Sequence, residues 1–347
     1  MSTATSTGTD TAPVPRLSAQ RIAGVVTGNW VFLALVALVV FFSIDAGSTF
    51  LSGANFKNIL LDSSGTMLLA VGMAYLIIGG HLDLSIGSVL VFSQVVAAKL
   101  IVALAGSPAH GYPHATEAIA LGILVAILVG AGWGLLNGVL VTLLKIPSFI
   151  VTLGTLGIAL GLAQVMTSGT DVTGLPTQMS QDLGLRRVLG LGLPVWIAIV
   201  ITIVAGIVLA QTRFGRFTYA IGSHAEAARR SGINVRRHVI ILFVAMGALA
   251  GLAGILEVAR YTTTEVAGHS SDNLVAIAAV IIGGASLFGG RGTIFGTVIG
   301  VLIPAVLNNG LVIVDLQPFW QTAAIGAILI VAVAVDNVKR SRTLRAS

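Results

Sequence analysis

Thr212–Arg237 gathers six of the chain's 19 Lys and Arg residues in one polar loop between apolar segments, with Glu226 as its only carboxylate. Inside it Ala225–Ser231 reads as a short helix, and Gly232 takes the C′ place where a left-handed residue is favoured. The small side chains of Ala225, Ala227 and Ala228 suit such a helix to close packing against a partner, to which Glu226 can offer an acidic group and Arg229 and Arg230 basic ones. Its chemistry is contact, not catalysis.

A second set of polar residues is scattered through apolar sequence. Asp83 lies in IIGGHLDLSIGS, Ile77–Ser88, where two glycines interrupt one apolar span and another begins almost at once. A carboxylate at the centre of a membrane helix costs about 2.5–3.5 kcal/mol, so Asp83 must face protein or water. Two arrangements meet that demand: a broken-helix turn lining a path, or a helix start at which Asp83 or Ser85 caps free N–H groups. Asn137, Thr152, Asn308 and Asn309 carry donors and acceptors suited to a neutral, hydroxyl-rich solute, and serve equally as links between helices. Phe149 and Trp320 offer faces for a sugar ring, although aromatics near span ends also act as interfacial anchors. The six histidines show no metal-site spacing and read as solvated.

The elements that position these residues follow from composition. With 56% hydrophobic and only 9% charged residues, and a mean hydropathy of +0.99, the chain is expected to be an all-α integral membrane protein. At about 20 apolar residues per crossing, about ten spans are read, centred on Trp30–Ile44, Met67–Ile78, Ile86–Leu104, Ile119–Leu144, Ile150–Met166, Leu193–Ala210, Val239–Val258, Leu274–Leu287, Ile294–Val314 and Phe319–Val335. Glycine pairs four apart, at 130/134, 157/161, 247/251 and 296/300, favour a tightly packed bundle.

An even number of spans puts both termini on one side. If that side is the cytoplasm, fourteen of the 19 basic residues lie inside, which satisfies the positive-inside rule and accounts for the net charge of +6 without nucleic acid. The reading divides the chain into a disordered N-terminal tail (1–27), a membrane domain (28–336) and a basic C-terminal tail (337–347). Within the domain, 212–237 is a cytoplasmic loop and 168–192 the longest external one. Ile-Ile-Gly-Gly recurs at Ile281 in IIGGASLFGGRGT, by count on the same side as the first copy.

No motor is visible. The sequence lacks a G-x-x-x-x-G-K-[ST] phosphate loop, and no chain of buried carboxylates and histidines suggests a proton relay. Cysteine is absent, so thiolate metal sites are ruled out. A passive pore or a subunit driven by a partner remains.

From about Asn55 to Asp336 the chain resembles the membrane subunits of bacterial ABC importers of the ribose and xylose type, the branched-chain/monosaccharide permease family. The resembling segments are GGHLDLSIGS from Gly79, LLNGVLVTLLKIPSFIVTLGT from Leu135, GRFTYAIGSHAEAARRSGINV from Gly215, AIAAVIIGGASLFGGRGTIFGT from Ala276, VLNNGL from Val306 and PFWQTAAIGAILIVAVAVD from Pro318. The resemblance implies a bacterial inner-membrane importer in which a pair of permeases, an ABC ATPase and an external solute-binding protein cooperate. It implies that ATP and Mg are bound by the ATPase, with no cofactor in this chain. It also implies that Ala225–Gly232, with Ser231, is the coupling helix. The solute implied is a monosaccharide such as ribose or xylose, with inositol, a deoxysugar or a standalone sugar carrier as alternatives. The chain departs from the family pattern at His81, where Ile is usual, at Ser223-His224, where Gly-Asn is usual, at Asn273, where an acidic residue is typical, and at Leu160-Gly161.

Overall fold

The computed structural model describes residues 19–317 together with Trp320, Ala323, Gly326, Ala327 and Ile330. The expected C-terminal tail, most of the tenth span and residues 1–18 lie outside the described residues. In chain order the helices are α1 (Ala19–Asp45), α2 (Gly47–Phe50), α3 (Gly53–Ile78), α4 (Ile86–Leu104), α5 (Ala115–Leu143), α6 (Ser148–Thr167), α7 (Thr177–Met179), α8 (Leu193–Gln211), α9 (Arg213–Arg230), α10 (Val235–Tyr261), α11 (Asp272–Ile282) and α12 (Ile294–Ile313). Because α1 opens at Ala19, residues 19–27 are helical. The Ala-Gln-Arg-Ile-Ala sequence there has good helix propensity. Side-chain caps start several helices: Ser52 accepts from Asn55 N–H, Thr212 from Gly215, Asn234 from Arg237 and Thr293 from Gly296.

Seven of the described helices are long and apolar enough to cross a membrane: α3, α4, α5, α6, α8, α10 and α12. The expected span Leu274–Leu287 does not form a helix long enough to cross by itself. Its helix, α11, has 11 residues, a rise of about 16 Å against a hydrocarbon core of about 30 Å. The cause is the Ile-Ile-Gly-Gly sequence, which closes a helix wherever it occurs. At its first copy Gly80 has φ +81, its N–H bonds Ile77 O, and His81 N–H bonds Leu76 O. At the second, Gly284 has φ +91, its N–H bonds Ile281 O, and Ala285 N–H bonds Val280 O. Both are the same paired-bond termination with glycine in the left-handed position. The loop that follows the second helix end returns to the first, where Gly290 N–H donates to Ile78 O at 2.8 Å.

The core is a packing of backbones. Residues 126–138 of α5 run antiparallel along 240–251 of α10, and a Cβ on Gly130, Gly134, Gly247 or Gly251 would overlap the facing backbone. Gly296 and Gly300 bring α12 equally close to α11. Such contacts replace the hydrophobic drive that lipid removes. The fourth glycine pair behaves differently. Gly157 and Gly161 have open space where a side chain would project, so they lie on an unpacked face of α6. Among the described residues a two-residue antiparallel pair, β1 (Arg187–Val188) with β2 (Leu191–Gly192), in the 168–192 connection is the one exception to helices and loops.

Candidate functional site

Between α3 and α4 the chain runs through the interior without regular structure. Buried backbone there must find partners, since lipid and apolar side chains supply none. Leu82 N–H donates to Ser148 Oγ at 3.1 Å and Leu84 N–H to Thr152 Oγ1 at 3.0 Å, both acceptors coming from α6. Leu84 O accepts from Asn273 Nδ2 of α11 at 3.1 Å. Asp83 Oδ1 accepts from both the N–H and the hydroxyl of Ser85, at 2.8 and 2.6 Å, and Ser85 Oγ accepts from Asn137 Nδ2 of α5 at 2.9 Å. Asp83, Ser85, Asn137 and Thr152 are all buried, with 0–2% of their surface exposed. Four residues spread over 70 positions thus form one polar knot. The carboxylate holds the N-cap residue of α4 in place without capping the first turn itself. Asn137 Oδ1 retains no hydrogen-bond partner among the described residues.

The other expected path residues fall elsewhere. Asn309 on α12 makes a reciprocal amide pair with Asn55 on α3, 2.9 Å each way, which is a link between helices. Asn308 is half-buried on the same helix and outside the knot. Phe149 is half-exposed and lines a cavity of about 690 Å³ at the α9 end of the bundle. That cavity lies directly below the knot: Gly79–Leu82 and Ser148 form one wall, and Gly222–Ala225 with Arg229 another. Lys145 and Arg236 also reach it, and no carboxylate lines it among the described residues.

Helix α9 has two parts divided at His224, whose backbone leaves helical geometry (φ −161, ψ 92). The first part is bolted down. Thr218 Oγ1 lies 2.8 Å from His238 Nε2, Tyr219 OH donates to Gly292 O at 2.7 Å, and a Cβ on Gly222 would overlap the Ile78 carbonyl. The second part, Ala225–Arg230, stands free, exposing every residue except Ala228. His224 Nδ1 accepts from Ala227 N–H at 3.2 Å and so starts it. Ser231 is the C-cap, and Gly232 (φ +86) closes it with bonds to Arg229 O and from Ile233 to Ala228 O. Glu226 pairs along the same helix, 3.6 Å from Arg229 and 3.4 Å from Arg230.

Sequence reasoning missed three residues of these sites. Ser148 gave no signal beyond its place in Ile-Pro-Ser-Phe, Asn273 stood out only as a departure from an acidic position, and His224 does the capping work that Asn usually performs. Nor are all histidines solvated. His238 is buried against Thr218, and His269 is largely buried beside Asp272.

Residues 55–333 match the family model described as branched-chain amino acid transport system / permease component. This chain belongs to that permease family. The permease is 37% identical to the ribose import permease protein RbsC of Escherichia coli (strain K12), covering 88% of this chain and 94% of that one. It is equally 37% identical to the ribose import permease protein RbsC of Bacillus subtilis (strain 168), over 89% and 92% of the two chains. Against the D-allose transport system permease protein AlsC of Escherichia coli (strain K12) the identity is 34%, over 88% and 90%. No solved structure matches the permease. It is a multi-pass membrane protein and a transport component rather than an enzyme.

Proposed function

We propose that the permease is the membrane subunit of an ATP-driven bacterial importer that carries a monosaccharide, a pentose such as ribose, through the inner membrane. The reading takes both termini and α9 as cytoplasmic, in line with the clustering of basic residues. A separate ATPase presses on Ala225–Arg230, a solute-binding protein docks on the opposite face, and a second permease copy supplies the other coupling helix. No cofactor is held by this chain.

One observation carries the reading. A short, self-capped, self-paired helix stands exposed on a rigidly packed platform, beside a cavity whose far wall leads into the buried polar knot. A push on that helix is transmitted through Gly222 to the end of α3 and the Gly79–Leu82 wall, since these parts touch backbone to backbone. ATP shifts the transporter only if the ATPase binds its two states differently, and an exposed helix on a stiff base allows that. The reading is tested in the reconstituted complex with Glu226→Arg combined with Gly232→Pro. Proline cannot adopt φ +86, so solute-stimulated ATP hydrolysis is expected to vanish while the subunit still inserts. Unchanged stimulation would overturn the assignment.

A further inference from the structure

At the end of the bundle opposite α9 lies a group of ionisable side chains that passive movement of a neutral solute does not use. His269, on the connection before α11, places Nδ1 2.8 Å from Oδ2 of Asp272. Its side chain is 12% exposed, and its other ring nitrogen, Nε2, is buried with no protein partner among the described residues. Glu257 projects from α10 toward α3, where a Cβ on Gly65 would come within 2.9 Å of its Oε1, so glycine makes the room for this carboxylate.

The surrounding charges come from each neighbouring element. Asp62 of α3 is ion-paired with Arg260 of α10, whose guanidinium lies 4.9 Å from the ring centre of the adjoining Tyr261. Glu265 lies on the connection that carries His269, and its carbonyl accepts from the uncharged Gln94 of α4 at 3.1 Å. With Asp62 and Arg260 matched to each other, the partly buried Glu257 and Asp272 remain, Asp272 bonded to the His269 imidazole and Glu257 acting on it by charge, while Glu265 is exposed. Those two carboxylates favour a cation at that imidazole. No three His, Cys, Asp or Glu side chains converge as a metal ion requires, among the described residues, and a proton needs no such convergence.

We propose that Glu257, His269 and Asp272 form a buried proton-binding site, and that the bound proton holds the start of α11 against α4 and α10. Protonation makes the His269–Asp272 bond charge-assisted and puts a hydrogen on the unpartnered nitrogen. Burial by itself pulls the His269 pKa down, but the bond to Asp272 and its charge, reinforced by Glu257 and Glu265, outweigh it and raise the pKa above the ordinary 6.5. The stabilisation is therefore complete below the unfolded value and is lost as pH rises through the higher folded value. The loss reaches the polar knot. A Cβ on Gly87 of α4 would overlap the His269 carbonyl, and Asn273, next to Asp272, holds Leu84 O.

The test uses the full-length permease in lipid nanodiscs, with its thermal midpoint followed from about pH 5.5 to about pH 8.5, the range in which imidazole titrates. The wild-type midpoint is expected to fall by about 2–4 °C, as loss of about 1 kcal/mol does in a chain of this size class or somewhat smaller. H269Q and D272N flatten that fall, and E257Q moves it to lower pH. A fall of the same size and position in H269Q overturns the proposal. Should H269Q fail to insert, histidine-selective ¹⁵N resonances of the wild type decide. An imidazole titrating above the ordinary value and shifted down by E257Q supports the site, and its absence refutes it.

Discussion

Residues 82–85 and residues 225–230 are both short pieces next to a break in a helix, and they are held in opposite ways. The first is buried, and its backbone groups are satisfied by side chains from α6, α11 and its own turn, with α5 binding that turn in place. The second is exposed and satisfied by itself, through His224 at one end and Gly232 at the other, with Glu226 pairing along its length. Position therefore separates the roles. A segment held by distant partners moves only when the bundle moves, whereas one that carries its own caps keeps its shape while a partner pushes it.

The sharpest way to break this contrast is Asp83→Ala. It strands the Ser85 N–H and hydroxyl in the interior, at about 1–3 kcal/mol for each unmade bond, and should lower the thermal midpoint of the purified permease more than any change in 225–230. Asp83→Asn, which retains an acceptor, should recover part of the loss. Gly222→Ala comes next. Its new Cβ overlaps the Ile78 carbonyl, and overpacking costs typically about 1–3 kcal/mol. Because this glycine joins the two regions, coupling of ATP hydrolysis to transport should suffer along with stability.

His224→Ala should act locally. Loss of a cap costs about 0.5–2 kcal/mol, but only the six residues Ala225–Arg230, all exposed except Ala228, depend on it. Hydrogen exchange at the Ala227 amide should speed up and ATPase stimulation fall while the global midpoint stays put, and His224→Asn should restore both. A fall in the global midpoint would show that the helix is not autonomous. The smallest effect is expected for Glu226→Gln, since an exposed pair at this spacing is worth about 0.3–0.5 kcal/mol. A large loss of stability there would erase the distinction between the regions.

Much of this was legible in the residues themselves. The C′ role of Gly232 and the breaks at Gly79-Gly80 and Gly283-Gly284 depend on a few consecutive residues, and the long apolar spans depend on composition over about 20. The error over α11 came from weighing hydropathy above a double glycine that the first Ile-Ile-Gly-Gly copy had already marked as a stop. Asn309 and Asn137 looked alike in sequence, yet one links two helices at their ends and the other binds the knot.

What the sequence determined by itself is a membrane bundle, its helix ends and the short exposed helix of α9, because propensity, capping and hydropathy act within a turn or a span. The tertiary structure decided which polar groups meet: Ser85 with Asn137, Asn55 with Asn309, and Asn273 with the Leu84 carbonyl. A polar side chain in an apolar bundle must find a partner, but which one it finds depends on how each helix is rotated and how closely glycines let backbones approach. Those are properties of pairs of helices far apart in the chain.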